Sequence, residues 1–131
     1  MTESILESTK KALGLAEDYT VFDQDIIMHI NSVFSTLQQL GIGPLSGFAI
    51  TDNTSIWSQF IADDNRYNSV RTYVYLRVRL LFDPPTTSYL INAMQEQIKE
   101  LEWRLSVTRE GDAWVSPDAL PDPNLTYLVA E

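Results

Sequence analysis

The stretch NSVRTYVYLRVRLLF, Asn68 to Phe82, decides the fold, because two periodicities overlap in it. Val74, Leu76, Val78, Leu80 and Phe82 alternate as they would on a strand, whereas Val70, Tyr73, Val74, Arg77, Val78 and Leu81 recur at helical spacing. Length and flanks decide between them. The run has no internal turn signal, opens on Asn68-Ser69 and is cut by Asp83-Pro84-Pro85, so a helix ending near Phe82 is predicted.

With that stretch helical, its neighbours agree. Upstream, Ile26, Ile30, Val33, Leu37 and Leu40 recur at three and four, and Ile27 and Phe34 widen the stripe into a helix from about Asp23 to Leu40. Asp23 is the predicted N-cap, Phe22 and Ile27 stand at the staple positions, and Gly41 supplies the stop. A short first helix follows from the Ser4 and Glu7 capping box and from Gly14. Between Ile42 and Tyr67 lies a long connection, with one helical turn around Ile56, Trp57 and Phe60 docking aromatics on the core. Downstream, Thr86, Thr87 and Ser88 offer caps for a last helix whose stripe, Leu90, Met94, Ile98, Leu101 and Leu105, holds to about Arg109. The expected core is Ile30, Val33, Leu37, Val74, Leu81, Leu90, Ile98 and Leu101. The fold class is all-α: a small antiparallel bundle of about four helices, with a long central connection and an extended C-terminal arm. Residues 1–110 form the helical domain, and 111–131, containing Pro117, Pro121 and Pro123, form the arm.

Composition sets further bounds. The 131 residues fit one domain, and 44% hydrophobic with 21% charged is far from the disordered regime. The absence of cysteine excludes disulfides, thiolate nucleophiles and cysteine-ligated metals. The start MTESILESTKKALG carries no basic region before an apolar run, so no signal peptide is expected and residence in a cytoplasm follows. No stretch is long and apolar enough for a membrane span. A net charge of -9 repels nucleic acid, and the charge is uneven. Residues 1–65 hold two Lys and nine acids, 66–109 hold seven bases and four acids, and 110–131 hold five acids and no base.

Catalytic patterns are sparse. His29 is the single histidine, and no nucleophile-elbow sequence accompanies it. A metal site would have to be carboxylate-rich; Asp63-Asp64 and Glu17-Asp18 lack the alternation and Gly of a calcium loop. No cofactor is called for. Gly41-Ile42-Gly43-Pro44 follows a helix and lacks the Lys of a phosphate loop, so it is a cap and turn. Arg71, Arg77 and Arg79 interleave with Tyr73 and Tyr75, which on a sheet would suit single-stranded nucleic acid but on a helix suits a surface or subunit interface.

The succession Leu13-Gly14-Leu15, Phe22-Asp23-x-Asp25-Ile26, His29-Ile30-Asn31-Ser32-Val33-Phe34, Leu40-Gly41-Ile42-Gly43-Pro44 and Trp57 resembles the head-to-tail connector adaptors of long-tailed bacteriophages. So do Tyr75-Leu76-Arg77-Val78-Arg79-Leu80-Leu81-Phe82-Asp83-Pro84-Pro85 and Glu100-Leu101-Glu102-Trp103-Arg104-Leu105, and the resemblance spans about residues 5–110. It implies a structural virion protein without enzymatic activity. Such a protein forms a homo-oligomeric ring of twelve beneath the portal protein, above a head completion or stopper protein, and extends the channel through which DNA passes unbound. It would reside at the head-tail junction of the virion, and in the host cytoplasm during assembly. Under that reading Asp52, Asp63 and Asp64 are candidates to face the channel. The arm residues Trp114, Val115, Leu125, Tyr127, Leu128 and Val129 are candidates to contact the portal or a neighbouring subunit. The competing expectation is a small helical regulatory protein, phage-encoded or bacterial, gripping a host partner through its loop and tail.

Overall fold

Short-range chemistry fixes where the first helices begin and end. The computed structural model describes residues 2–62 and 64–113. Among the described residues there are five helices: α1 (Ile5–Ala12), α2 (Asp23–Gln39), α3 (Trp57–Phe60), α4 (Asp64–Phe82) and α5 (Ser88–Ala113). The chain is all-α; the one β-type contact among the described residues is an isolated antiparallel bridge between Ser4 and Ile56. Ser4 caps α1, its Oγ accepting from the Glu7 amide at 3.2 Å. The reciprocal half of the predicted capping box does not form, because the Glu7 carboxylate is taken by Lys10 at 3.6 Å and by Asn53 at 3.1 Å. Helices α1 and α2 stop alike: Gly14 and Gly41 adopt φ of 85° and 84°. The amides of Leu15 and Ile42 then reach back to the carbonyls of Lys10 and Leu37, both at 2.9 Å, the Schellman arrangement that glycine makes accessible. Asp23 is not the N-cap of α2. Phe22 holds that position without a side-chain bond, and Asp23, the first helical residue, lies 3.0 Å from the Lys10 ammonium.

Helix α4 is the centre of the fold: α2, α1 and the antiparallel α5 all pack on it, with no substantial contact between α2 and α5. That placement explains the double periodicity of its sequence. Val70, Val74 and Val78 are buried on one side, and Tyr73 and Leu76 are buried as well, so the helix is apolar over much of its circumference, as helices enclosed on several sides are. It starts at Asp64, a turn earlier than Asn68-Ser69 suggested; an acidic residue type there suits the positive end of the helix dipole. Helix α5 likewise continues to Ala113, beyond the expected end near Arg109.

The core holds Ile30, Val33, Leu37, Val74, Ile98 and Leu101 as expected, together with Ile5 and Leu6 of α1 and Trp57 and Phe60 of α3. Leu81 and Leu90 do not belong to it, each being 49% exposed. They flank the Asp83–Thr87 turn, where α5 has substantial contacts with α4 alone and no third helix covers the end of either stripe. The long connection is pinned by Asn31, whose side chain donates to the Ile50 carbonyl at 2.9 Å and accepts from the Ile50 amide at 2.8 Å. Phe34 stacks on Phe60, and Phe48 and Trp57 meet Phe34 edge-on.

Candidate functional site

His29 ends an edge-to-face ladder running Tyr19, Phe22, Phe82, His29, with aromatic rather than acid or hydroxyl partners. Among the described residues no group of three His, Cys, Asp or Glu could hold a metal ion. An open groove of about 320 Å³ between α1 and α4 is lined by Ser8, Ala12, Trp57, Arg71 and Tyr75. Its one cation is engaged: Arg71 lies 2.9 Å from Glu3 and 3.1 Å from the Tyr67 hydroxyl. Trp57 Nε1 donates to Ser8 Oγ at 2.8 Å, tying the groove floor to α1.

The arginines of α4 are likewise taken up by the fold. Tyr67 and Arg71, Tyr73 and Arg77, and Tyr75 and Arg79 form three pairs at i,i+4, the spacing that brings side chains of a helix together. Arg77 also lies 3.4 Å from Glu102 of α5, and the Tyr73 hydroxyl donates to the same carboxylate oxygen at 2.7 Å. Burial, and then that bond to Glu102, push the Tyr73 phenol well above its ordinary pKa. Glu3 and Glu102 therefore neutralise two cations of the basic middle segment. The Tyr67–Arg71 and Tyr73–Arg77 pairs thus join α4 to Glu3 and to α5.

Of the sequence-predicted site residues, Asp52 lies on an exposed turn, its Oδ1 accepting from the Thr54 hydroxyl at 2.6 Å and the Thr54 amide at 2.9 Å. The hydroxyl bond first, and the amide bond second, hold its pKa below the ordinary 3.8. Asp63 and the carboxylate of Asp64 lie outside the described residues, as do Trp114, Val115, Leu125, Tyr127, Leu128 and Val129.

Two surfaces escaped the sequence. One is the α1–α2 loop and the start of α2, where Tyr19, Val21, Phe22 and Met28 are exposed. The other is the α4–α5 turn and the outer side of α5, with Leu81, Tyr89, Leu90, Trp103 and Val107 exposed. Trp103 falls off the Leu90–Leu105 stripe, and that off-stripe position was the signal available. Lys10 was also unremarked. It is fully buried, and its ammonium donates to the Glu17 carbonyl at 3.0 Å besides facing Asp23 and Glu7.

In comparison with known proteins, a family model described as phage connector protein matches residues 5–112. No curated protein and no solved structure matches the chain.

Proposed function

Since the chain belongs to the phage connector protein family, a structural family of the head-tail junction, we propose that it acts as an adaptor ring of about twelve copies beneath the portal, extending the DNA channel towards a head completion or stopper protein. The family match over nearly the whole helical domain carries this reading. The physical chemistry is compatible with it. Two of the α4 arginines, Arg71 and Arg77, are paired with Glu3 and Glu102, the chain is acidic overall, and such a surface lets DNA slide without adhering. Its place is the neck of the virion, after assembly in the host cytoplasm.

Two finer assignments belong to the same proposal. Asp52, with Asp63 and Asp64, lines the channel or its rim. The arm from residue 114, through Trp114, Val115, Leu125, Tyr127, Leu128 and Val129, docks on the portal or a neighbouring subunit; its Leu125–Val129 run has strand-forming content suited to a partner's sheet edge.

Mixing the purified chain with portal protein and imaging the complex by cryo-electron microscopy tests the ring. A collar of density below the portal is expected, and a monomer or dimer that ignores the portal refutes it. Truncation after Ala113 tests the arm: unchanged melting with lost docking is expected, whereas normal docking removes the arm from the contact.

A further inference from the structure

Helix α5 is held by α4 on one side, and its other side is not an ordinary solvated face. Trp103 is 66% exposed and Tyr89 80% exposed. Together with Val107 they lie on the side of the helix turned from Ile98, Leu101 and Leu105, with Tyr89 and Trp103 two heptads apart on one line. Exposed Trp and Tyr on one face are the residue types that anchor protein contacts.

Helix α2 turns Met28 away from its buried Ile26, Ile30 and Val33, and the loop ahead of it exposes Val21. The two flanks differ in charge. Between Lys11 and Arg66 the sequence has no Lys or Arg, so the α2 flank has no cation of this kind of its own and exposes Asp18 and Asp25 beside its apolar residues. The α5 flank carries Lys99 and Arg104, paired at 3.6 Å and 2.9 Å with Glu96 and Glu100 on the same helix. All four side chains are more than half exposed, and ion pairs of that kind are weak enough to exchange partners.

We infer that the α2 flank of one copy packs on the α5 flank of the next: Val21 and Met28 cover Trp103 and Val107, while Asp18 and Asp25 meet Lys99 and Arg104. The two patches are different and lie on different helices, so the contact is head-to-tail. Contacts of that class propagate from copy to copy and close into a ring where the rotation allows. The inference rests on the ring proposed above and names the surfaces that build it.

The absence of native cysteine makes the contact testable by placing single thiols. Gln24→Cys places a thiol between Val21 and Met28, and Ser106→Cys places one between Trp103 and Val107, the first position exposed and the second half-exposed. With a short bismaleimide, the mixture of the two variants yields cross-linked dimer, either variant alone yields little, and the double variant yields a ladder. Trp103→Glu keeps the melting temperature and cuts the ladder about tenfold or more, as loss of an interface anchor does. Links within a single variant mean a two-fold contact and overturn the inference. So do oligomers by light scattering with no cross-link between the two variants, and the ring then stands on another face; a ladder that survives Trp103→Glu removes Trp103 as the anchor. A wild-type chain that stays monomeric by light scattering even with portal protein removes the ring, and this contact with it.

Discussion

Replacing Lys10 by Met isolates the most unusual interaction in the molecule. The ammonium has no exposure, sits 3.0 Å from Asp23 and 3.6 Å from Glu7, and the two carboxylate side chains are 22% and 20% exposed. Methionine fills a similar volume, so the loss is electrostatic: two partly buried carboxylates face each other without a cation, and the Glu17 carbonyl loses its donor. Breaking a buried pair by removing one partner costs about 3 to 5 kcal/mol. The remaining water at both carboxylates lowers this to about 2 to 4 kcal/mol, a large share of a typical 5 to 15. Urea denaturation of Lys10→Met measures it, and a double-mutant cycle with Asp23→Asn should return a coupling of about 1 kcal/mol or more, as contacting charges do. Because Lys10 ties α1 to the loop displaying Tyr19, Val21 and Phe22, the variant should also assemble less well. A loss below about 0.5 kcal/mol with no coupling to Asp23 would refute the electrostatic account.

Tyr73→Phe removes a phenol whose folded pKa is raised, so the bonds to Glu102 and Arg77 disappear at a cost of about 1 kcal/mol. A raised folded pKa gives stability that is complete below the unfolded value near 10 and is lost as pH rises further; denaturation series above that pH should fall less steeply in the variant than in the parent. Gly43→Ala should cost more than Gly14→Ala, read as melting temperatures. Both glycines have positive φ, but a Cβ at Gly43 would meet the Phe60 ring at 2.5 Å while one at Gly14 meets nothing within 4 Å; overpacking adds roughly 1 to 3 kcal/mol to the backbone strain. Equal costs at the two sites would show that the Phe60 ring yields freely. Thr54→Ala should raise the Asp52 titration midpoint, followed by NMR, towards 3.8. Charge reversal to Lys at Asp52, Asp63 and Asp64 together should leave assembly intact and slow DNA ejection, most at low salt; unchanged ejection removes these acids from the channel.

Helix existence was legible because it rests on spacing and on chain-local chemistry. Ser4, Gly14 and Gly41 act through bonds that span three to five residues, and each does what its residue type dictates. Asp23 shows where that logic stops: a side chain suited to capping its own helix was taken by a buried ammonium from another helix. The stripe on α5 buries Ile98, Leu101 and Leu105 at the spacing the sequence shows. Burial, however, depends on what stands opposite, and Leu90 and Leu81 continue a periodic pattern past the point where a third helix could cover them. No count of apolar positions along one helix reveals the absence of a partner.

The same distinction separates core from interaction surface. A Trp on a buried stripe and a Trp opposite one have equal hydrophobicity, so composition cannot rank Trp57, at 1% exposure, against Trp103. Angular position can. Helix α5 places Trp103 opposite Leu101 and Leu105 at about 100° per residue, and the same arithmetic turns Met28 from Ile30 and Leu37 on α2. Once both helices are known to pack on α4, residues that looked like errors in an amphipathic pattern become two separate outward patches of different charge. Their uncovered apolar area, continued at Leu81 and Leu90, is what an assembling subunit has to leave on its surface, because a bundle that buried every apolar side chain within itself would keep no anchor for the next copy.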